Sequence, residues 1–134
     1  MDNEEEQHKF LMAHGQVFPR HAHNAQRLGE LKAMPGWENF TVFRGGEIIG
    51  NIMVFLKPEE EGIGYIEDLF VLKEWRRMGI GRCLLSTALG YFHNRGIQRV
   101  QLEFWSANKP ALALYQAYGF SSIDETEIAV GCYV

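Results

Sequence analysis

Hydrophobic positions fall at helical spacing in two early stretches, change to β-branched runs at Asn39, and return to helical spacing after Gly79. Residues 3–14 read as a helix presenting Phe10 and Leu11. Residues 21–33 read as a second helix carrying Ala25, Leu28 and Leu31, ended by Met34-Pro35-Gly36-Trp37. From Asn39 the run NFTVFRGGEIIGNIMVFL predicts an antiparallel hairpin with Gly45 and Gly46 in its turn. Gly64 to Leu72 is apolar at nearly every position, as a strand covered on both faces should be, and Glu67 and Asp68 are the exceptions.

Leu84, Leu85, Ala88, Leu89 and Phe92 set a helix over Gly79 to Arg95, with Gly96 at its C-terminal cap. A strand follows over 100–105, then the helix NKPALALYQAYGF, with Asn108 as cap, Pro110 in the first turn and Gly119 at the end. The last fourteen residues suit one long strand or two short ones, and no strand is evident before residue 36. The pattern predicts a single domain over 1–134, with helices around one mixed α/β sheet.

Composition narrows the picture little. The 134 residues are 46% hydrophobic and 22% charged, ordinary for a globular domain. A net charge of -4 argues against a nucleic-acid reader with a broad basic face and hints weakly at a cationic small substrate. The acidic start is unlike a secretory leader, and no apolar run approaches the ~18 residues of a membrane span, so the cytoplasm is the expected location. Cys83 and Cys132 read as reduced and buried. His8, His14, His21, His23 and His93 are scattered, with His21 and His23 pointing apart on a helix, so no metal site is expected.

The stretch EWRRMGIGRCLLS carries the chemistry. A glycine-rich turn leading from a strand into a helix presents backbone N–H groups at the positive end of the helix dipole, a natural phosphate site. Gly79 and Gly81 allow close approach, and Arg76, Arg77 and Arg82 add charge, so a pyrophosphate fits. Gly79-x-Gly81 is half of a dinucleotide fingerprint, but Leu84 stands at the third glycine and six residues separate the strand from the turn. The Gly-Lys-Ser/Thr of a Walker A loop does not occur.

Arg76-Arg77-Met78-Gly79-Ile80-Gly81 resembles the pyrophosphate loop Gln/Arg-x-x-Gly-x-Gly/Ala of the GNAT acetyltransferase superfamily. Asn108, Ala111, Tyr115, Gly119 and Phe120 are similar to its downstream signature. The likeness covers about residues 37–122, and YIEDLFV looks like the polyamine and small-amine branch. It implies a mostly antiparallel twisted sheet with helices on both faces, a splayed central strand pair, and acetyl-CoA as donor. Phe70 and Val71 would offer backbone groups to the pantetheine arm; Arg76, Arg77, Met78, Gly79, Ile80, Gly81, Arg82 and Asn108 would hold the rest.

Within that resemblance, acetyl transfer to an amine needs a base, because an alkyl ammonium has a pKa near ~10. Glu67 is the candidate, directly or through a water, with its pKa raised by burial in an apolar strand. Asp68 should face the opposite side if the strand is regular, unless a bulge intervenes, and is a candidate substrate contact. Tyr115, two turns after Asn108, would protonate the departing thiolate, with Tyr118 its rival.

Two departures from the family pattern stand out: its usual N-terminal strand is missing, and its terminal strands are short. EIAVGCYV or the helical N-terminus is therefore expected to pack across a partner chain as a homodimer. The expected function is an N-acetyltransferase for a primary amine of a small molecule or a protein, by direct attack. The alternative is a catalytically silent acetyl-CoA sensor or assembly domain, and a further alternative makes the chain one part of a longer protein.

Overall fold

The computed structural model describes residues 3–19, 22–59, 62–103, 109–122 and 129–133. Its elements run α1 (Glu4–Val17), α2 (Ala25–Lys32), β1 (Glu38–Arg44), β2 (Glu47–Leu56), β3 (Ile63–Val71), α3 (Ile80–Asn94), β4 (Arg99–Glu103), α4 (Lys109–Ala117), β5 (Ser121–Ser122) and β6 (Ala129–Tyr133). A short 3-10 turn, Lys73–Trp75, follows β3.

Local chemistry sets most boundaries. Asn3 caps α1, its side chain accepting from the Glu6 N–H at 2.7 Å, and three glutamates in the first turn suit the positive helix end. Asn24 does the same for α2 through the Arg27 N–H at 2.8 Å. That cap starts α2 at Ala25, four residues later than its pattern suggested, and leaves His23 in the connection before the helix and Ala25 exposed. The hairpin forms as expected, with Gly45 and Gly46 between β1 and β2. No strand precedes β1 among the described residues.

The sheet has six strands in the order β1-β2-β3-β4-β6-β5, and β3 with β4 is its one parallel pair among the described residues. β2 alternates across it. Ile52 and Val54 meet Leu84, Leu85, Ala88 and Phe92 of α3, with Ile66, Val100 and Leu102 beside them. Met53 and Phe55 meet Phe10 and Ala13 of α1 and Leu28 and Leu31 of α2, together with Phe70. Each face is thus closed by its own pair of helices. Burying an aliphatic or aromatic side chain in either core contributes about 1.5–3 kcal/mol before entropy is counted.

β6 pairs with β4 from Ala129 to Tyr133 and with β5 at Val130 and Gly131 of its own chain. One expectation is corrected here. Cys83 is exposed, because it sits on the side of α3 turned away from Leu84 and Leu85; the side chain of Cys132 lies outside the described residues. No described helix is long and apolar enough to cross a membrane.

Candidate active site

Pairing between β3 and β4 stops at Ile66 with Leu102, while β3 continues to Val71. Its last five residues stay paired to β2 through Glu67, Phe70 and Val71 but, among the described residues, have no partner on the β4 side. The expected splay falls opposite residues 104–108, which lie outside the described residues.

The chain then passes the 3-10 turn and enters α3 through Gly79, which caps the helix at φ 83°. An L side chain there costs roughly 1–2 kcal/mol. A Cβ built on Gly79 meets nothing within 4 Å, so the approach to the loop is open. The first helical bond runs from the Cys83 N–H to the Gly79 carbonyl, leaving the N–H groups of Ile80, Gly81 and Arg82 without helical acceptors. Gly81 sits between Leu114 and Val71, whose side chains would lie 3.8 and 3.9 Å from a Cβ added there, tying the end of β3 and α4 to the loop. Those groups can hold a pyrophosphate.

The arginines divide. Arg76 Nε donates to the Val71 carbonyl at 2.9 Å, so this side chain braces the end of β3. Arg77 holds the left-handed conformation at φ 66° beside exposed Met78, and Arg82 is exposed on the first turn of α3.

The carboxylates depart from a regular strand. Asn51 pairs with Phe70 and Met53 with Glu67, so Ile52 faces two residues, Asp68 and Leu69. Asp68 adopts φ 49° in this bulge. Ile66, Leu69 and Val71 consequently face α3, whereas Glu67, Asp68 and Phe70 face α1 and α2. The two carboxylates share one side instead of alternating, a correction to the regular-strand expectation.

On that side two histidines meet them. His14 Nε2 lies 2.9 Å from Asp68 Oδ2, and His23 Nε2 contacts the same oxygen while lying 3.8 Å from Glu67 Oε1. The imidazoles stack at 4.1 Å, and His14, 1% exposed, is wrapped by Phe10, Phe18 and Phe70. The His23 backbone N–H donates to His14 Nδ1 at 3.3 Å. That nitrogen therefore carries the lone pair, and Nε2 carries the hydrogen given to Asp68. Arg27 Nη2 approaches Glu67 Oε1 at 3.9 Å.

These neighbours separate the two acids. Burial, then the charge of Asp68, push the Glu67 carboxyl up to about 7, against the pull of Arg27 and His23. Burial also acts to raise Asp68, but the hydrogen bonds from His14 and His23 outweigh it and hold this carboxyl below its usual range. One acid can exchange protons near neutrality; the other is a fixed negative charge. Asp68, expected as a substrate contact, spends its Oδ2 on the histidines.

His14 Nε2, His23 Nε2 and Asp68 Oδ2 all lie within 4.8 Å of one another, a spacing that could also admit a metal ion. To ligate one, His14 would have to move its hydrogen to Nδ1, where it would oppose the His23 N–H.

Tyr115 is 6% exposed, with its ring against Phe120, and burial followed by the charge of Asp68 pushes its phenol up to about 12. Tyr118, its rival, is tied to α3, its hydroxyl 2.7 Å from Ser86 Oγ and 3.2 Å from the Arg82 carbonyl. Asn108, expected at the cofactor, lies outside the described residues. His14, His23 and Arg27 are site residues that spacing did not reveal.

The chain resembles known proteins throughout its length. The model of the Acetyltransferase (GNAT) family matches residues 4–120. The N-alpha-acetyltransferase MAK3 of Arabidopsis thaliana is 35% identical over 82 residues, 60% of this chain and 43% of that protein. The uncharacterized N-acetyltransferase YjgM of Escherichia coli K12 is 29% identical over 110 residues, 81% of this chain and 64% of that protein. The chain thus spans less than two thirds of either relative. Among solved structures, the ribosomal-protein-S18-alanine N-acetyltransferase of Escherichia coli superposes with a TM-score of 0.83 at 16% identity, covering 98% of this chain and 90% of that one. With the glycine cradle already in place, the family match over nearly the whole chain makes it a member of the GNAT acetyltransferase family.

Proposed function

We propose that the chain is an N-acetyltransferase that moves the acetyl group of acetyl-CoA onto a primary amine of a small molecule or protein by direct attack. The observation that carries this reading is the position of Glu67: a partly buried carboxyl poised near neutrality, on the strand that leads into the anion cradle. The N–H groups at the start of α3 take the diphosphate, with Arg77 and Arg82 nearby, and the end of β3 at Phe70 and Val71, its Val71 carbonyl braced by Arg76, lies along the path of the pantetheine arm.

Glu67 accepts a proton from the incoming ammonium. The neutral nitrogen then forms the C–N bond as the thioester C–S bond breaks, the Tyr115 hydroxyl supplies the proton to the leaving sulfur, and the resulting tyrosinate takes back the proton that the nitrogen sheds as it becomes an amide. A phenol held at about 12 stays protonated until a thiolate needs it. Every proton move uses this chain's own side chains. The fixed negative charge of Asp68 beside Glu67 favours a cationic acceptor.

A thiol-release assay with acetyl-CoA and a panel of primary amines, including polyamines, amino sugars and peptide N-termini, tests the reading. Turnover on at least one amine, strongly reduced in Glu67→Gln, is expected. Tight CoA binding with no turnover on any of them would instead favour a silent acetyl-CoA sensor.

A further inference from the structure

Resting on the acetyltransferase reading, we propose that His14 and His23 are positioning residues: from α1 and the α1–α2 connection they close on Asp68 Oδ2, hold the β3 bulge, and so fix Glu67 beside a partly buried negative charge.

The argument begins with the strain. A non-glycine residue at φ 49° is uncommon, and such backbone persists only where its surroundings hold it. The surroundings here are two imidazole Nε2 atoms converging on one carboxylate oxygen. Neither histidine is free to turn. His14 is packed among three phenylalanines, and its Nδ1 is occupied by the His23 N–H, which in turn fixes the connection ahead of the Asn24 cap. Without the bulge, Asp68 would face α3 and its apolar core, and Glu67 would stand alone on the α1/α2 side.

The consequence for Glu67 follows from what faces it. Its own strand contributes Asp68 and Tyr65, the α1–α2 connection His23, α2 Arg27 and β4 Glu103. Asp68 and Glu103 disfavour its ionised form, while Arg27 and His23 favour it. The clamp thus keeps the strongest opposing charge adjacent to the base.

The test reads Glu67 without any acceptor, so its failure and failure of the acetyltransferase reading are separately visible. The full chain, carrying 13C-labelled glutamate carboxyls, is titrated by NMR, the Glu67 signal being identified by its loss in Glu67→Gln. In the unsubstituted chain the midpoint is expected near 7. Asp68→Asn should lower it by about one pH unit or more. His14→Leu should lower it, as the released Asp68 turns toward water, and His14→Gln should restore it, because an amide can still donate to Asp68. A Glu67 midpoint unmoved by Asp68→Asn and His14→Leu, even with a lower Tm, would overturn the proposal and leave the histidines a packing role alone. So would a rise in Tm with added Zn2+ that disappears in His14→Gln, which would make the cluster a metal centre.

Discussion

The two ends of the candidate site are built by different means. At the cradle, the proposed role rests on backbone: N–H groups of consecutive residues, left by a glycine cap within one short stretch. At the proposed base, it rests on side chains gathered from positions 14, 23, 27, 67 and 68, whose contacts set the two carboxylates apart. A backbone site is insensitive to most substitutions outside its glycine. A side-chain site responds to each member separately, in protonation as well as in rate.

The largest effect that would sharpen this contrast is expected from Glu67→Gln. Losing a general base typically costs about 10²–10⁴-fold in turnover, and the acetyl-transfer assay measures it. The same substitution should raise stability at high pH. The folded-state value of about 7 lies above the ordinary 4.5, so between them the native state binds more protons than the unfolded one. Stability from this group is full below about 4.5 and falls as pH rises to about 7. Glu67→Gln should therefore gain on the order of 2–3 kcal/mol over the parent at pH 8 and almost nothing at pH 4, read by urea unfolding.

Next comes Tyr115→Phe, expected to lower turnover by about 10²-fold while leaving CoA affinity within a factor of about two. At the cradle, Gly79→Ala should weaken CoA binding about tenfold and cost roughly 1–2 kcal/mol, because its φ of 83° penalises any Cβ. Gly81→Ala, whose Cβ would make ordinary contacts, should be much milder, and calorimetric titration with CoA compares the two. The smallest effect is expected from Tyr118→Phe. It removes hydroxyl contacts to Ser86 and Arg82, so about 1 kcal/mol of stability should be lost with the rate nearly unchanged. Equal rate losses for Tyr115→Phe and Tyr118→Phe would break the assignment of the acid.

The same contrast explains what could be read in advance. The loop from Arg76 to Arg82, the capped helix behind it and the hairpin are specified by neighbours in sequence, so spacing alone placed them. So was Glu67, an acid in an otherwise apolar strand. The bulge could not be read, because one extra residue in a strand leaves no periodic mark; its effect appears only as the pairing of Asn51 with Phe70 and Met53 with Glu67. The histidines were opaque for a related reason. His14 is nine residues from His23 and 54 from Asp68, and the Asn24 cap, by starting α2 late, moves His23 out of a helix and into the cluster. Arg76 shows the reverse case: its loop position suggested phosphate, and its Nε braces the Val71 carbonyl.

The pH dependence of kcat/KM for acetyl transfer, compared between the parent chain and Glu67→Gln, tests the central assignment most directly. The account requires a lower break near 7 in the parent, reporting Glu67 as the free enzyme's base, and no such break in the variant. A break of the same position and depth in both would show that another group takes the proton.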